Sequence, residues 1–357
     1  MPKILIVSND SFTLWQFRRE LISTMRANAM EVTIAVPFGA RTDDLRELGC
    51  ELVEIPADVI RKGFRLMKFC GELLKKVRPD VAVTYGATVN IWASLACRKA
   101  KIPYCANVQS LETLFSDPVR SFVNTALCRM ALKKARTVFF ENPASADLFA
   151  EKKITPKAKQ TLLPGAGVNL QHYALQPYPH NDPIRFLYVG RMMAEKGTEE
   201  LLDAIKMLYD DCFEVRLDLV GTYDDAYAEQ MDVLKHLSIV VHHGYQEDPR
   251  PYYAAADCIV MPSHREGMSN VLLEAAATGR PVIASYIPGC REAVDEGRTG
   301  FTFRSQDKYC LYEDIRHMAT LTWEQRQEMG LAGRRRMEEL FDKQMVVEDT
   351  LNAILRQ

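Results

Sequence analysis

Short apolar runs alternate with stretches of helical periodicity from the first residues onward. Lys3–Ser8 is one such run, and Phe12–Met25 then spaces Leu14, Phe17, Leu21 and Met25 three or four apart, as one helix face requires. Glu31–Pro37, Asp80–Thr84, Tyr104–Val108 and Thr137–Asn142 read as further strands, with helices over Ile91–Ala100, Val119–Lys134 and Ala144–Lys152. Residues 164–183 break the alternation: Pro164, Gly165, Gly167, Pro177, Pro179 and Pro183 give a linker composition. Strands then resume at Ile184–Val189, Val215–Val220, Ile239–His242, Cys258–Met261 and Pro281–Ala284. Helices are expected over Glu199–Leu208, Ala226–Leu237, Val271–Thr278 and Asp307–Thr320, and the tail Thr322–Leu355 is helical by composition.

Strands alternating with helices predict βαβ units and mainly parallel sheets. The expected class is α/β, with two Rossmann-like domains facing each other across a cleft. The first spans 1–165, a linker 166–183, the second 184–341, and a last helix over 342–357 can cross back to the first domain. Ligands of open α/β sheets bind beyond the carboxyl ends of the strands, so chemistry is expected on strand-end loops.

Composition fits this picture. The 357 residues are 47% hydrophobic and 26% charged, enough for two ordinary soluble cores. No apolar run approaches the roughly 20 residues of a membrane span, and the N-terminus lacks the apolar core of a secretory signal, so a cytoplasmic protein is expected. The nine cysteines include no CxxC, the nearest pair being Cys97 and Cys105, which fits buried reduced thiols. Charge is uneven: residues 1–165 carry 25 Lys/Arg against 16 Asp/Glu, and the remainder 20 against 31. A basic first half implies an anionic partner or surface, and an acidic second half argues against a general nucleic-acid binder.

Several motifs fail. GxxxxGK[ST], HExxH and GxSxG are absent. Gly165-Ala166-Gly167 lacks a third glycine and a following helix, and His264-Arg265-Glu266 lacks the PCxxC of a zinc deaminase.

Two segments hold chemistry. In Val189-Gly190-Arg191-Met192-Met193-Ala194-Glu195-Lys196-Gly197-Thr198 a strand ends and a helix begins, with Arg191 and Lys196 between them. Two cations beside a helix N-terminus suit a diphosphate; they also read as solvated surface charges. In Pro262 to Ala275 a buried strand gives way to a turn and a helix, with Glu266 before it and Glu274 inside it. A carboxylate accepts hydrogen bonds from neighbouring sugar hydroxyls, so the pair suits a sugar on one side and a ribose on the other. Alternatively Glu266 caps the turn and Glu274 lies on a solvated face.

With these residues in place, the chain resembles the family-4 retaining glycosyltransferases of the GT-B fold. The resemblance rests on the Glu266/Glu274 spacing and on Val189-Gly190-Arg191 followed by Lys196-Gly197. Pro288-Gly289-Cys290-Arg291-Glu292 and Gly297-Arg298-Thr299-Gly300-Phe301 add to it. Ser8 to Arg19 and Phe139-Phe140-Glu141-Asn142-Pro143 are similar to bacterial enzymes that build capsule, O-antigen or lipid-linked oligosaccharides.

The resemblance implies transfer of a sugar, an N-acetylhexosamine or hexose, from a UDP-sugar to an undecaprenyl-diphosphate-linked glycan. Arg191 and Lys196 would stabilise the donor diphosphate as it leaves, Glu266 would contact the donor sugar, and Glu274 would hold the ribose. Gly190, Gly267, Met268, Ser269, Asn270 and Val271 would line the donor site, with Gly244 and Tyr245 beside the base. Asn9, Thr13, Arg18 and Arg19 lie on the acceptor side. No cofactor or catalytic metal is implied, and Asp224-Asp225 reads as a solvated turn or helix start. The chain departs from the pattern at Ala87-Thr88-Val89-Asn90, where relatives carry Lys-Pro-Asn, and at Ser110-Leu111-Glu112, where they carry Gly-Leu-Gly.

The stretch 59–78 is basic, with Arg61, Lys62, Arg65, Lys68, Lys75, Lys76 and Arg78, and places Ile60, Phe64, Met67 and Leu74 on one helical face. It reads as a helix resting on anionic lipid, on the inner face of the cytoplasmic membrane, or as a surface helix with its apolar face on the sheet. Two other functions remain open: transfer to a soluble acceptor, and a non-catalytic scaffold subunit.

Overall fold

The computed structural model describes residues 1–109 and 118–356, which form two units: Met1–Ala166 with Lys343–Gln357, and Gly167–Asp342. The expected Ser110-Leu111-Glu112 turn lies outside the described residues.

The first unit is built on seven parallel strands: β1 Lys3–Ser8, β2 Glu31–Val36, β3 Glu51–Glu54, β4 Val81–Tyr85, β5 Tyr104–Val108, β6 Thr137–Phe140 and β7 Gln160–Leu162, in the order β3-β2-β1-β4-β5-β6-β7. The second has six: β8 Ile184–Val189, β9 Val215–Val220, β10 Val240–His242, β11 Cys258–Met261, β12 Val282–Ser285 and β13 Gly300–Phe303, in the order β10-β9-β8-β11-β12-β13. Every pairing in both ladders is parallel, with Ile6 opposite Ile34 and Val83, and Phe186 opposite Leu217 and Cys258.

Central strands of such sheets are buried on both faces, which is why they read as continuous apolar runs. Leu5, Val7, Ala82 and Ala106 enter one core, while Ile4, Ile6, Val81 and Val83 enter the core on the opposite face. Phe186 and Val260 against Leu187 and Ile259 repeat this in the second unit. The sequence pattern misses β3, β7 and β13, all edge strands. Glu51–Glu54 and Gln160–Leu162 bury no residue fully, so no apolar run marks them.

Because the strands are parallel, each connecting helix starts at the carboxyl edge of its sheet. Asp10 caps the helix Ser11–Ala27 by accepting from the Thr13 amide, and Asn142 caps Pro143–Glu151 through the Ser145 amide. The helical tail is two helices, Trp323–Leu340 and Lys343–Leu355, the second belonging to the first unit.

The stretch 59–78 differs from its expected form. It is two helices, Ala57–Arg61 and Gly63–Val77, broken at Lys62. Leu66, Cys70, Leu73 and Leu74 are buried, and Ile60 and Met67 pack partly buried against the same core, so the apolar face lies on the sheet; of the expected face only Phe64 departs, being 69% exposed. Leu66 and Cys70 recur at i, i+4 and continue to Leu73 and Leu74, so they make a tighter stripe than one built through Phe64. No helix among the described residues is long and apolar enough to cross a membrane.

Candidate functional site

The second unit brings the loops after β8, β9 and β11 together backbone to backbone. Gly190 adopts φ +151°, and a Cβ on Gly221 would lie 2.0 Å from the Gly190 carbonyl oxygen. Only glycine allows that approach. The Met192 amide donates to the Thr222 carbonyl at 2.8 Å, beside Arg191. Its guanidinium meets Asp224 at 2.6 Å and its side chain is 64% exposed. Asp224 stands at a helix start, just before the 3-10 turn Asp225–Tyr227, as one of its two expected readings has it, and is in addition the partner of Arg191.

Beyond Arg191 a single 3-10 turn, Ala194–Lys196, leads to Gly197 in the left-handed region at φ +68° and to the helix Thr198–Asp210. A Cβ on Gly197 would lie 2.0 Å from the Pro262 carbonyl oxygen. This contact seats the Lys196 loop on the end of β11. There the Lys196 Nζ meets Glu266 Oε1 at 2.6 Å, and the fully buried Ser263 hydroxyl donates to the same oxygen at 2.8 Å. Among the described residues Oε2 of Glu266 takes no hydrogen bond, so it can accept from a ligand hydroxyl.

The turn carrying Glu266 is braced from behind. The Ser269 amide donates to the Gly289 carbonyl at 2.9 Å, and a Cβ on Gly289 would come within 2.5 Å of the Gly267 carbonyl oxygen. The helix Asn270–Ala277 then begins at Ser269, whose side chain makes no cap. Met268 and Ser269 are buried, while Gly267, Asn270 and Val271 are half-buried. The first amides of this helix have no intrahelical partner and point out of its start. One turn on, Glu274 Oε2 accepts from the Tyr253 hydroxyl at 2.9 Å. Burial first, and then the charge of Glu274, raise the Tyr253 pKa well above that of a free phenol, so it stays a donor.

Arg191, Lys196, Glu266 and Glu274 thus lie on strand-end loops and the helix start of one sheet edge. Gly244 joins them: its carbonyl accepts from the Gly221 amide at 2.8 Å, and Tyr245 beside it is exposed. His243 is engaged with buried Asp218 at 2.6 Å.

The acceptor-side residues fare differently. Asn9 is exposed, with its side chain against the Cβ position of Gly86, and the Thr13 hydroxyl is tied to Asp10. Arg19 lies over Trp15 and pairs with Glu20 at 3.1 Å. Arg18 is buried and paired with Glu141 at 2.8 Å. Burial raises the Glu141 pKa, and Arg18 opposes the rise. The side chains of Thr84 and Asn90 share a bond of 2.7 Å, so Asn90 is a structural residue of the stretch that departs from Lys-Pro-Asn. Among the described residues no group of three His, Cys, Asp or Glu could hold a metal ion.

Sequence reasoning misses three partners: Ser263, Tyr253 and Asp224. Ser263 was readable as a hydroxyl three residues before Glu266. The other two become neighbours only through the sheet order, β8 beside β9 and β11.

With this geometry established, comparisons give it a lineage. Residues 13–166 match a family model described as a glycosyl transferase 4-like domain, and residues 183–320 one described as glycosyl transferases group 1. The N,N'-diacetylbacillosaminyl-diphospho-undecaprenol alpha-1,3-N-acetylgalactosaminyltransferase of Campylobacter jejuni is 26% identical over 343 residues, covering 88% of each chain. The capsular polysaccharide biosynthesis glycosyltransferase CapM of Staphylococcus aureus is 30% identical over 47% of this chain and 45% of its own. The crystal structure of Anabaena HepE in complex with UDP superposes with a TM-score of 0.78 at 17% identity, covering 98% of both chains.

Proposed function

This chain belongs to the family-4 glycosyltransferases of the GT-B fold, and from that premise we propose that it moves an N-acetylhexosamine or hexose from a UDP-sugar to an undecaprenyl-diphosphate-linked glycan. The transfer retains anomeric configuration, needs no catalytic metal, and takes place at the inner face of the cytoplasmic membrane. The observation that carries this reading is the cluster of Lys196, Glu266 and Ser263 beside the start of the helix Asn270–Ala277. It sets a cation, a carboxylate with one open oxygen, and unpaired amides on one edge, as a sugar diphosphate requires. The Campylobacter relative, whose name specifies a diphospho-undecaprenol acceptor, supports the acceptor class.

In this mechanism Arg191 and Lys196 stabilise charge as it develops on the leaving diphosphate. The diphosphate competes with Asp224 for Arg191. Glu266 accepts from donor-sugar hydroxyls and Glu274 from the ribose. The leaving phosphate takes the acceptor proton on the face from which it departs, so no carboxylate nucleophile is needed.

UDP release from a panel of UDP-sugars, with and without undecaprenyl-diphosphate-linked glycans, tests the reading. Release from one donor only when the lipid-linked glycan is present is the expected result. Release with soluble sugars alone would replace the acceptor assignment, and nucleotide binding without release in any combination would leave a scaffold. Ser263→Ala supplies a finer measure. Loss of a buried hydrogen bond to a charged group is worth about 1.5–3 kcal/mol, so kcat is expected to fall about tenfold or more with a smaller change in KM. An unchanged kcat would remove Ser263 from the orientation of Glu266.

A further inference from the structure

Exposed phenylalanines are confined to the first unit among the described residues, whereas the exposed tyrosines Tyr209, Tyr245, Tyr286 and Tyr309 lie in the second. Among the described residues four phenylalanines are exposed, Phe12, Phe38, Phe64 and Phe122, the last by 81%. All four belong to the first unit. The parallel topology places them at one level. Phe12 follows β1 in the opening turn of Ser11–Ala27, and Phe38 lies two residues past β2. Phe64 opens the helix Gly63–Val77, which leads into β4, and Phe122 lies early in Pro118–Leu132, which leads into β6. Each is therefore at or just beyond the carboxyl ends of the strands, and Val123, 53% exposed, adjoins Phe122. Scattered single exposed apolar residues need no explanation, but a set confined to one edge marks an interaction surface.

The charges on this edge specify the partner. The break at Lys62 puts Arg61, Lys62 and Lys68 next to Phe64, all exposed and none with a carboxylate partner among the described residues. Most acids nearby are engaged: Asp58 with Arg65 at 3.1 Å, Asp44 with Arg41 at 3.6 Å, Asp43 with Arg46, and Asp10 with the helix cap; Glu54, at the end of β3, is exposed with no ion-pair partner among the described residues. Arg46 in turn lies over the Phe38 ring at 6.0 Å. Against the unpaired carboxylate of Glu54 stand the cations of Arg61, Lys62 and Lys68, so the balance is positive, beside aromatic rings that can enter an acyl boundary.

We infer that the carboxyl edge of the first sheet, led by Phe64 and Phe122 with Arg61 and Lys62, docks on an anionic phospholipid bilayer. Cations meet the lipid headgroups, and the rings enter the interface beneath them. The biological purpose of this docking rests on the proposed lipid-linked acceptor; its physical basis does not. It brings the ends of β1, β4 and β5 to the membrane, where such an acceptor is displayed.

The test is flotation of the full chain with vesicles of mixed phosphatidylglycerol and phosphatidylcholine, and with phosphatidylcholine alone. Wild type is expected to float with the mixed vesicles, to be released by salt, and to bind phosphatidylcholine at least tenfold more weakly. The double variant F64S/F122S is expected to lose at least tenfold in vesicle binding, while keeping its melting temperature, because both rings already face water. Wild-type protein that stays unbound, or a double variant that floats as well as wild type, overturns the surface. So does a wild-type dimer that F64S/F122S converts to monomer, since a second copy of the chain would then be the occupant. None of these readouts uses turnover, so they fail separately from the transferase assignment, which UDP release decides.

Discussion

Lys196→Ala is expected to lower UDP release by about 10²–10³-fold, the usual effect of removing one group that stabilises charge in a transition state. The size follows from where Lys196 sits. Its loop is fixed by Gly197 against Pro262, and its amine is held 2.6 Å from Glu266 Oε1. The cation is thus preorganised and needs no reorientation as charge builds on the departing phosphate. Alanine removes it and also leaves the Glu266 carboxylate uncompensated beside a diphosphate, which adds repulsion. The loss should fall mainly on kcat, because Arg191 and the helix start still hold the donor. Stability should change little, since the Lys196 side chain is a third exposed. Measured turnover within a few-fold of wild type, in a variant with an unchanged melting temperature, would sink the assignment of Lys196 to the leaving group. Glu266→Gln separates the two contributions. It keeps the shape of the side chain and removes its charge, so a loss as large as that of Lys196→Ala would show that the pair acts as a unit.

How far this site could be read in the sequence depends on the range of each contact. Arg191, Lys196, Glu266 and Glu274 stand out because each sits at a fixed short distance from a strand end or a helix start. Central strands were legible for a similar reason: burial on both faces leaves a short continuous apolar run, rich in β-branched residues and bounded by turn signals. Edge strands such as Glu51–Glu54 and Gln160–Leu162 lack that signature. Contacts across the fold were not legible. Arg18 and Glu141 are 123 residues apart, and only the folded sheet shows that Arg18 turns inward. A trace was nevertheless present: Arg18 lies four residues after Leu14 and three before Leu21, on the buried stripe of its helix. A cation on that stripe needs a buried partner. On the helix of residues 63–77 only Phe64 was misplaced, because it fits the stripe of Ile60, Met67 and Leu74 by spacing. The structure buries Leu66, Cys70, Leu73 and Leu74 and leaves the ring in water.

The largest effect on stability is expected at a residue outside the chemistry. Arg280 is fully buried and has no carboxylate within ion-pair distance among the described residues; its five N–H groups instead lie within hydrogen-bond distance of six backbone carbonyls, three of them sharing Nη1. Those of Tyr253 and Ala254 end one helix, Thr278 and Gly279 end another, and Gln176 and Pro177 belong to the segment that enters the second unit. Arg280 also lies over the Tyr178 ring at 5.4 Å. Burial lowers its pKa to about 10, opposed by Tyr178 and Asp257, so it stays charged at neutral pH. Helix ends leave carbonyls without intrahelical partners, and one planar fork with five N–H groups satisfies two such ends and the entry segment at once. Arg280→Met keeps the apolar stem and removes the fork. With several buried carbonyls left unpaired, the expected cost is roughly 3 kcal/mol or more, which for a unit of this size lowers its melting temperature by about 6–12 °C. Arg280→Lys should recover only part of this, because an ammonium cannot span three segments. The same change reaches the site, since Tyr253 both accepts from Arg280 and holds Glu274. Calorimetry on the two variants should therefore show the drop in the transition of the second unit, with KM for the donor rising in the same order. A melting profile that matches wild type in Arg280→Met would show that water replaces the guanidinium at these carbonyls without penalty, and that the entry segment is held by other contacts.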